Sequence, residues 1–178
     1  MQSDYKDLEK LAKEKEDENW DFRKFLKFHD ELSDKELDEL VSKIADKYES
    51  EIECINCGRC CKKLKPTLSR QDQQRLANRL EMTVSQLRKQ YLEYDESDDE
   101  PAWQIKNVPC PFQKDNKCTV YEDRPDDCRG YPYLHKPGFN GRTMGMIERT
   151  FTCPIVFKVM EELKEEVAFD ADIEYDYW

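Results

Sequence analysis

Eight consecutive residues, Cys54-Ile55-Asn56-Cys57-Gly58-Arg59-Cys60-Cys61, carry four thiols, and no other stretch restricts the fold so tightly. Cysteines two residues apart form a tight knuckle whose backbone N–H groups turn towards a bound sulfur. Gly58 supplies the conformational freedom that such a turn needs. The adjacent pair Cys60-Cys61 is a different signal. Neighbouring side chains diverge, so two adjacent cysteines complete one tetrahedral site poorly, and a second metal or a cluster shared across the pair accounts for them better.

Four more cysteines follow at Cys110, Cys118, Cys128 and Cys153, and a fold that uses the first group must bring the second to it. All eight are candidate metal ligands. The composition gives them work to do: 38% hydrophobic and 39% charged residues, with a mean hydropathy of -0.99, leave little apolar material for a core. Thin cores are supplemented by disulfides or metals. The start Met1-Gln2-Ser3-Asp4-Tyr5-Lys6-Asp7 has no basic and then apolar leader, and no run of about 20 apolar residues occurs, which predicts a soluble cytoplasmic protein. In a reducing compartment the spacing favours metal, and C-x2-C loops and a vicinal pair are poor disulfide partners across a fold.

A formal net charge of -11 argues against general nucleic-acid binding or binding to an anionic membrane. The segment from Glu53 to Gln90 is locally basic, with Arg59, Lys62, Lys63, Lys65, Arg70, Arg75, Arg79, Arg88 and Lys89 against Glu53, Asp72 and Glu81. These cations sit on the thiol-rich box, where they compensate thiolate charge.

In chain order, residues 4–30 read as helix with a charged first half and an aromatic second half. Phe22, Phe25, Leu26 and His29 fall on one face, suited to docking on the domain or to a protein partner. Ser33 and Glu36 form a capping box ahead of a helix with Leu37, Leu40, Val41, Ile44 and Tyr48 on one stripe. Residues 1–50 are thus expected as an N-terminal helical hairpin, 51–160 as the cysteine-cluster domain, and 161–178 as a helix end and acidic tail (Asp170, Asp172, Glu174, Asp176). Within the domain, Ser69 with Asp72 starts a helix, and Thr83 or Ser85 starts another. Residues 93–100 read as a solvated acidic loop and 102–108 as a half-buried strand. Tyr131–His135 and Met144–Phe151 are expected as strands around a turn at Gly138-Phe139-Asn140-Gly141, with a final helix at about 155–167. The fold class is α+β, a small metal-stapled domain of short helices and a few antiparallel strands.

His29 and His135 are the only histidines and their spacing matches no motif, so both read as surface or packed residues and a histidine-rich catalytic zinc site is disfavoured. Arg124 and Arg129 flank Cys128, where they either donate to thiolate sulfur or pair with Asp123, Asp126 or Asp127. Tyr121, Tyr131 and Tyr133 read as packing around a small metal core. Eight thiolates suffice for two closed zinc sites, or for one four-cysteine iron–sulfur cluster with four thiols left for another metal.

The box Cys54–Cys61, the segment Leu68–Ala77, Cys110-Pro111-Phe112, Cys118-Thr119-Val120-Tyr121, Arg124-Pro125 through Cys128-Arg129, Tyr131-Pro132 and Cys153-Pro154 together resemble the YkgJ-type cysteine-cluster family. The resemblance covers about residues 52–160 and implies a domain that chelates zinc or iron through C-x2-C-x2-C-C. A longer relative, the flagellin lysine N-methylase, contains such a region and implies an iron–sulfur cluster used with S-adenosylmethionine. Two function classes result. The favoured one is a non-catalytic redox, metal-handling or interaction module, with an iron–sulfur cluster preferred over zinc because of the vicinal pair and this relative. The alternative is an iron–sulfur enzyme that modifies protein side chains.

Overall fold

The computed structural model describes residues 7–28, 32–96 and 101–173. His29, Glu174 and Asp176 lie outside them. The chain divides into two compact units, one formed by residues 1–53 with 132–178 and the other by residues 54–131. The segment from Pro132 onwards thus groups with the N-terminal helices in one compact unit.

The first unit is helical: α1 (Leu8–Glu14), α2 (Glu16–Phe28), α3 (Asp34–Glu51), α9 (Phe139–Thr150) and α10 (Pro154–Glu166). The break between α1 and α2 falls at Lys15, and α2 opens on the acids Glu16, Asp17 and Glu18 before its aromatic residues begin at Trp20. The Ser33 hydroxyl accepts from Glu36 N while the Glu36 carboxylate accepts from Ser33 N, so the capping box opens α3 as its sequence predicts. The apolar stripes pair with partners distant in sequence. α3 packs on α10 and α9, and α2 packs on α9. Phe22, Phe25 and Leu26 are buried there, and Phe169 tilts against both phenyl rings with centroids 5.1 and 5.3 Å away. Lys164, only 5% exposed, pairs with Glu18 at 2.8 Å and Glu161 at 2.6 Å.

Residues 139–150, expected as part of a β-hairpin, are the helix α9. Its buried residues Phe139, Thr143, Met146, Ile147 and Thr150 recur at three and four, a period that outweighs the turn signal of Asn140-Gly141. Gly138 takes a left-handed φ of 77°, and the two oxygens of Asp38 on α3 each accept one of the first donors, Gly138 N and Phe139 N, at 2.8 Å. A carboxylate from another helix thus does the capping, which no local pattern shows.

The second unit holds α4 (Cys54–Cys57), α5 (Cys60–Lys63), β1 (Thr67–Leu68), α6 (Arg70–Arg79), α7 (Val84–Tyr91), β2 (Leu92–Asp95), β3 (Ala102–Ile105), β4 (Gln113–Lys114), β5 (Lys117–Cys118) and α8 (Asp126–Gly130). Capping boxes at Ser69/Asp72 and Thr83/Gln86 start α6 and α7. The strands β1, β3 and β2 form an antiparallel sheet in that order, with Leu68 opposite Trp103 and Leu92 opposite Ile105. Residues 92–95 are therefore strand and not loop. Their acids are answered across the ladder, where Gln104 Nε2 donates to Glu93 at 3.1 Å and Asp95 at 3.0 Å. Leu68, Leu76, Ala77, Leu87, Leu92, Ile105, Phe112 and Val120 form this unit's own core.

The periodicity of α9 is open to direct test. Met146 is fully buried and Met144 is 52% exposed, although in a strand both would share a face. Met146→Ala is expected to cost about 2–5 kcal/mol and Met144→Ala less than about 0.5 kcal/mol, measured by equilibrium urea unfolding; equal losses would contradict the helix.

Candidate metal centre

The knuckle is built from two short turns. Cys54–Cys57 forms the single turn α4, Gly58 follows with φ of 60°, and Cys60 opens α5. A side chain at residue 58 would be strained in this left-handed conformation, and its Cβ would meet the Gln113 side chain and lie 2.9 Å from the Asn116 carbonyl. The close approach lets Gln113 Nε2 donate to the Gly58 carbonyl at 2.8 Å. α4 packs on β5, the strand that carries Cys118.

The second group reaches the knuckle through the backbone. Cys110 N donates to the Cys61 carbonyl at 2.7 Å. From there β4 and β5 pair as a hairpin over Asp115 and Asn116, both with positive φ, which returns the chain to Cys118. The hairpin absent from residues 131–151 is thus here. Asp and Asn tolerate the left-handed conformation better than other non-glycine residues, and that was the available sequence signal. Thr119 clamps the return by donating both N and Oγ1 to the Phe112 carbonyl, at 2.8 and 2.9 Å.

Cys128 sits on α8, and sequence reasoning missed what holds that helix. Asp72, 2% exposed, accepts from Ser69 Oγ at 2.7 Å, Arg75 Nη2 at 2.5 Å and the Asp126 backbone N at 3.0 Å. Burial alone would raise the Asp72 pKa, but these donors hold it below the usual carboxylate range. Arg75 also donates to the Arg124 carbonyl at 2.9 Å and reaches Asp126, while Asp127 accepts from Thr67 N at 2.9 Å. The capping acid of α6 therefore doubles as the anchor of α8.

Three thiols of this unit respond to the charge of a fourth, Cys61. Cys61 is lowered to about 7, first by a hydrogen bond from the Cys60 thiol and further by Lys62. Burial pushes Cys110 up to about 11, with the negative charges of Cys61 and Cys118 adding to it. Cys128 rises to about 12, from burial first and then from Cys61, Asp127, Cys110 and Cys118. Cys118 is raised by burial and Cys61, although Arg124 opposes this. A set of half-buried thiols of this kind can ionise together only with a cation among them. Thiolate is also the donor that zinc and iron–sulfur centres take, so the donor set fits such a group.

All eight cysteines are thiols, with none in a disulfide. Seven lie in the 54–131 unit. Cys153 belongs to the helical unit, buried at the N-cap of α10 with Pro154 at the first helical position. Arg124 stacks on the Tyr121 ring at 3.7 Å, and Arg129 donates to the Arg124 and Glu122 carbonyls with Asp126 3.7 Å away. Arg129 thus serves the backbone and an ion pair, while Arg124 also acts on Cys118 through its charge. A cleft of about 420 Å³ between Arg79 and Tyr121 reaches Cys118.

The family described as "CxxCxxCC: Putative zinc- or iron-chelating domain" matches residues 53–154. The chain belongs to this family. The match takes in the knuckle, Cys110, Cys118, Cys128 and Cys153. No curated protein and no solved structure matches the chain. No helix among the described residues is long and apolar enough to cross a membrane.

The lowered Cys61 and raised Cys110 and Cys128 give metal-free protein an ordered reactivity, since the thiolate is the nucleophile. At pH 7.5 iodoacetamide is expected to label Cys61 before Cys110 or Cys128, its rate falling as pH drops through about 7. Peptide mass spectrometry over time checks the order, and equal rates at the three sites would contradict it.

Proposed function

We propose that the cysteine cluster holds a metal centre in a non-catalytic redox, metal-handling or interaction module, and that the centre is an iron–sulfur cluster in preference to zinc. The carrying observation is that burial first, and the charge of Cys61 next, raises Cys110, Cys118 and Cys128, thiols from three separate segments that ionise together with Cys61 only where a cation joins them. The adjacent pair supports the iron–sulfur reading. Cys60 donates to Cys61, so the two thiols act as a unit, which suits a multinuclear centre better than two independent tetrahedral sites. An iron–sulfur cluster supplies a one-electron couple, whereas closed zinc–thiolate ligation supplies stability.

The chain's own residues set the surroundings. Lys62 and Arg124 offset thiolate charge, Gln113 and Gly58 fix the knuckle against the β4–β5 hairpin, and Asp72 fixes α8. The cleft at Cys118 gives solvent a route to one thiol, which supports metal handling. A cytoplasmic location is part of the proposal, because reduced thiols persist there. A protein partner at the N-terminal helices is also proposed; Phe22, Phe25 and Leu26 are used internally, which leaves Trp20 and Phe28 as the exposed aromatics of α2.

Protein purified without oxygen is expected to be coloured and to contain iron and acid-labile sulfide, with iron lost in Cys61→Ser and Cys118→Ser variants. Stoichiometric zinc without sulfide or visible charge-transfer absorption would overturn the iron–sulfur assignment. Metal removal should act unevenly, because ligand binding free energy is folding free energy for the segments that carry the ligands. Hydrogen exchange is expected to quicken at residues 54–63 and 110–130 while α3 and α10 keep their protection; uniform loss across the chain would argue against it.

A further inference from the structure

A second set of metal-ligating atoms lies together outside the cysteine region. His135 Nε2 is 3.2 Å from Glu49 Oε2 and 3.9 Å from Asp46 Oδ1, and one ligand atom from each of the three lies within 4.8 Å of the others. Asp46 and Glu49 are three residues apart on α3 and share a face. The imidazole comes to them from the segment that leads into α9.

Two features prepare the imidazole. Its other nitrogen, Nδ1, lies 2.6 Å from Ser42 Oγ, one turn before Asp46 on α3. The Glu49 carboxylate can only accept, so without a metal Nε2–H donates to it and the Ser42 hydroxyl donates to Nδ1; a metal at Nε2 takes the place of that proton, and Ser42 then accepts from Nδ1–H as second-sphere partners of metal-binding histidines do. The segment itself is pinned, because the Arg142 guanidinium donates to the carbonyls of Tyr133 at 3.0 Å, Pro137 at 3.3 Å and Lys136. Tyr133 is held at a φ of 67°, a costly conformation for an aromatic residue. The imidazole is therefore delivered by an ordered segment, which lowers the entropy cost of closing a site.

We propose that Asp46, Glu49 and His135 bind a divalent transition-metal ion of borderline softness, such as zinc or cobalt, with water completing its coordination. One imidazole nitrogen and carboxylate oxygens are donors that such ions accept. The two carboxylates repel each other, and a dication between them turns that repulsion into attraction. The site shares no residue with the cysteine centre and does not rest on that reading.

The test is a cobalt titration of the protein as isolated, with its cysteine-bound metal in place, followed by calorimetry and absorption. Cobalt on thiolates gives intense charge-transfer absorption, whereas imidazole and carboxylate donors give only weak d–d bands, so the two sites read separately. One equivalent is expected to bind without thiolate absorption. His135→Gln should abolish that binding and Ser42→Ala should weaken it by about tenfold, with the metal content of the cysteine site unchanged. All three ligands are exposed, so these variants are expected to keep the wild-type circular dichroism. Absence of binding to the wild type, or equal binding by wild type and His135→Gln, would overturn the proposal.

Discussion

The hydrogen bond from Cys110 N to the Cys61 carbonyl is the contact on which the candidate centre depends. It couples two cysteine groups far apart in sequence through the backbone, whose geometry is fixed, and leaves the thiols available. Around it the chain gathers half-buried thiols that burial first, and the charge of neighbouring thiols second, holds in the neutral form, as the raised Cys110, Cys118 and Cys128 record. The apolar core of the 54–131 unit, from Leu68 to Val120, holds the helices and strands that carry these residues. The polypeptide therefore holds these thiols in surroundings where they ionise together only once a cation answers their charge.

Asp72 shows how few polar groups this requires. One buried carboxylate caps α6, binds Arg75 and receives the Asp126 N–H, so the helix that carries Cys128 is fastened to a helix more than fifty residues earlier. Burial opposes its charge, and the Ser69 cap, the Asp126 N–H and Arg75 together hold its pKa below the usual carboxylate range. Arg75 and Asp127 extend the network to residue 124 and to β1, and α8 needs this support because a five-residue helix cannot stand alone.

The matched family region, residues 53–154, crosses from the cysteine-bearing unit into the helical one and ends at Cys153-Pro154. The helical unit thus contributes more than an appendage. Its helices α9 and α10 lie in and just after the matched region, and they bury the stripes of α2 and α3. Gly138 and Phe139 donate to Asp38 in the same unit, so the start of α9 and the face of α3 are fixed together.

Local sequence determined the parts whose physics is local. The capping boxes at Ser33, Ser69 and Thr83, the helical stripe of α3, the final helix, the strand at residue 102 and the eight candidate thiols were all legible, because each rests on contacts within a few residues or on chemistry that a side chain carries anywhere. The metal-chelating family was legible for the same reason, through the spacing of its cysteines. Tertiary structure alone decided where the hairpin lies, because Asn140-Gly141 carries a turn signal that the buried face of α9 and the Asp38 cap overrule. It also decided that the acids of β2 face a partner strand, that Asp72 anchors α8 and that His135 meets Asp46 and Glu49. Each depends on groups distant in the chain, and no local pattern encodes which distant groups will meet.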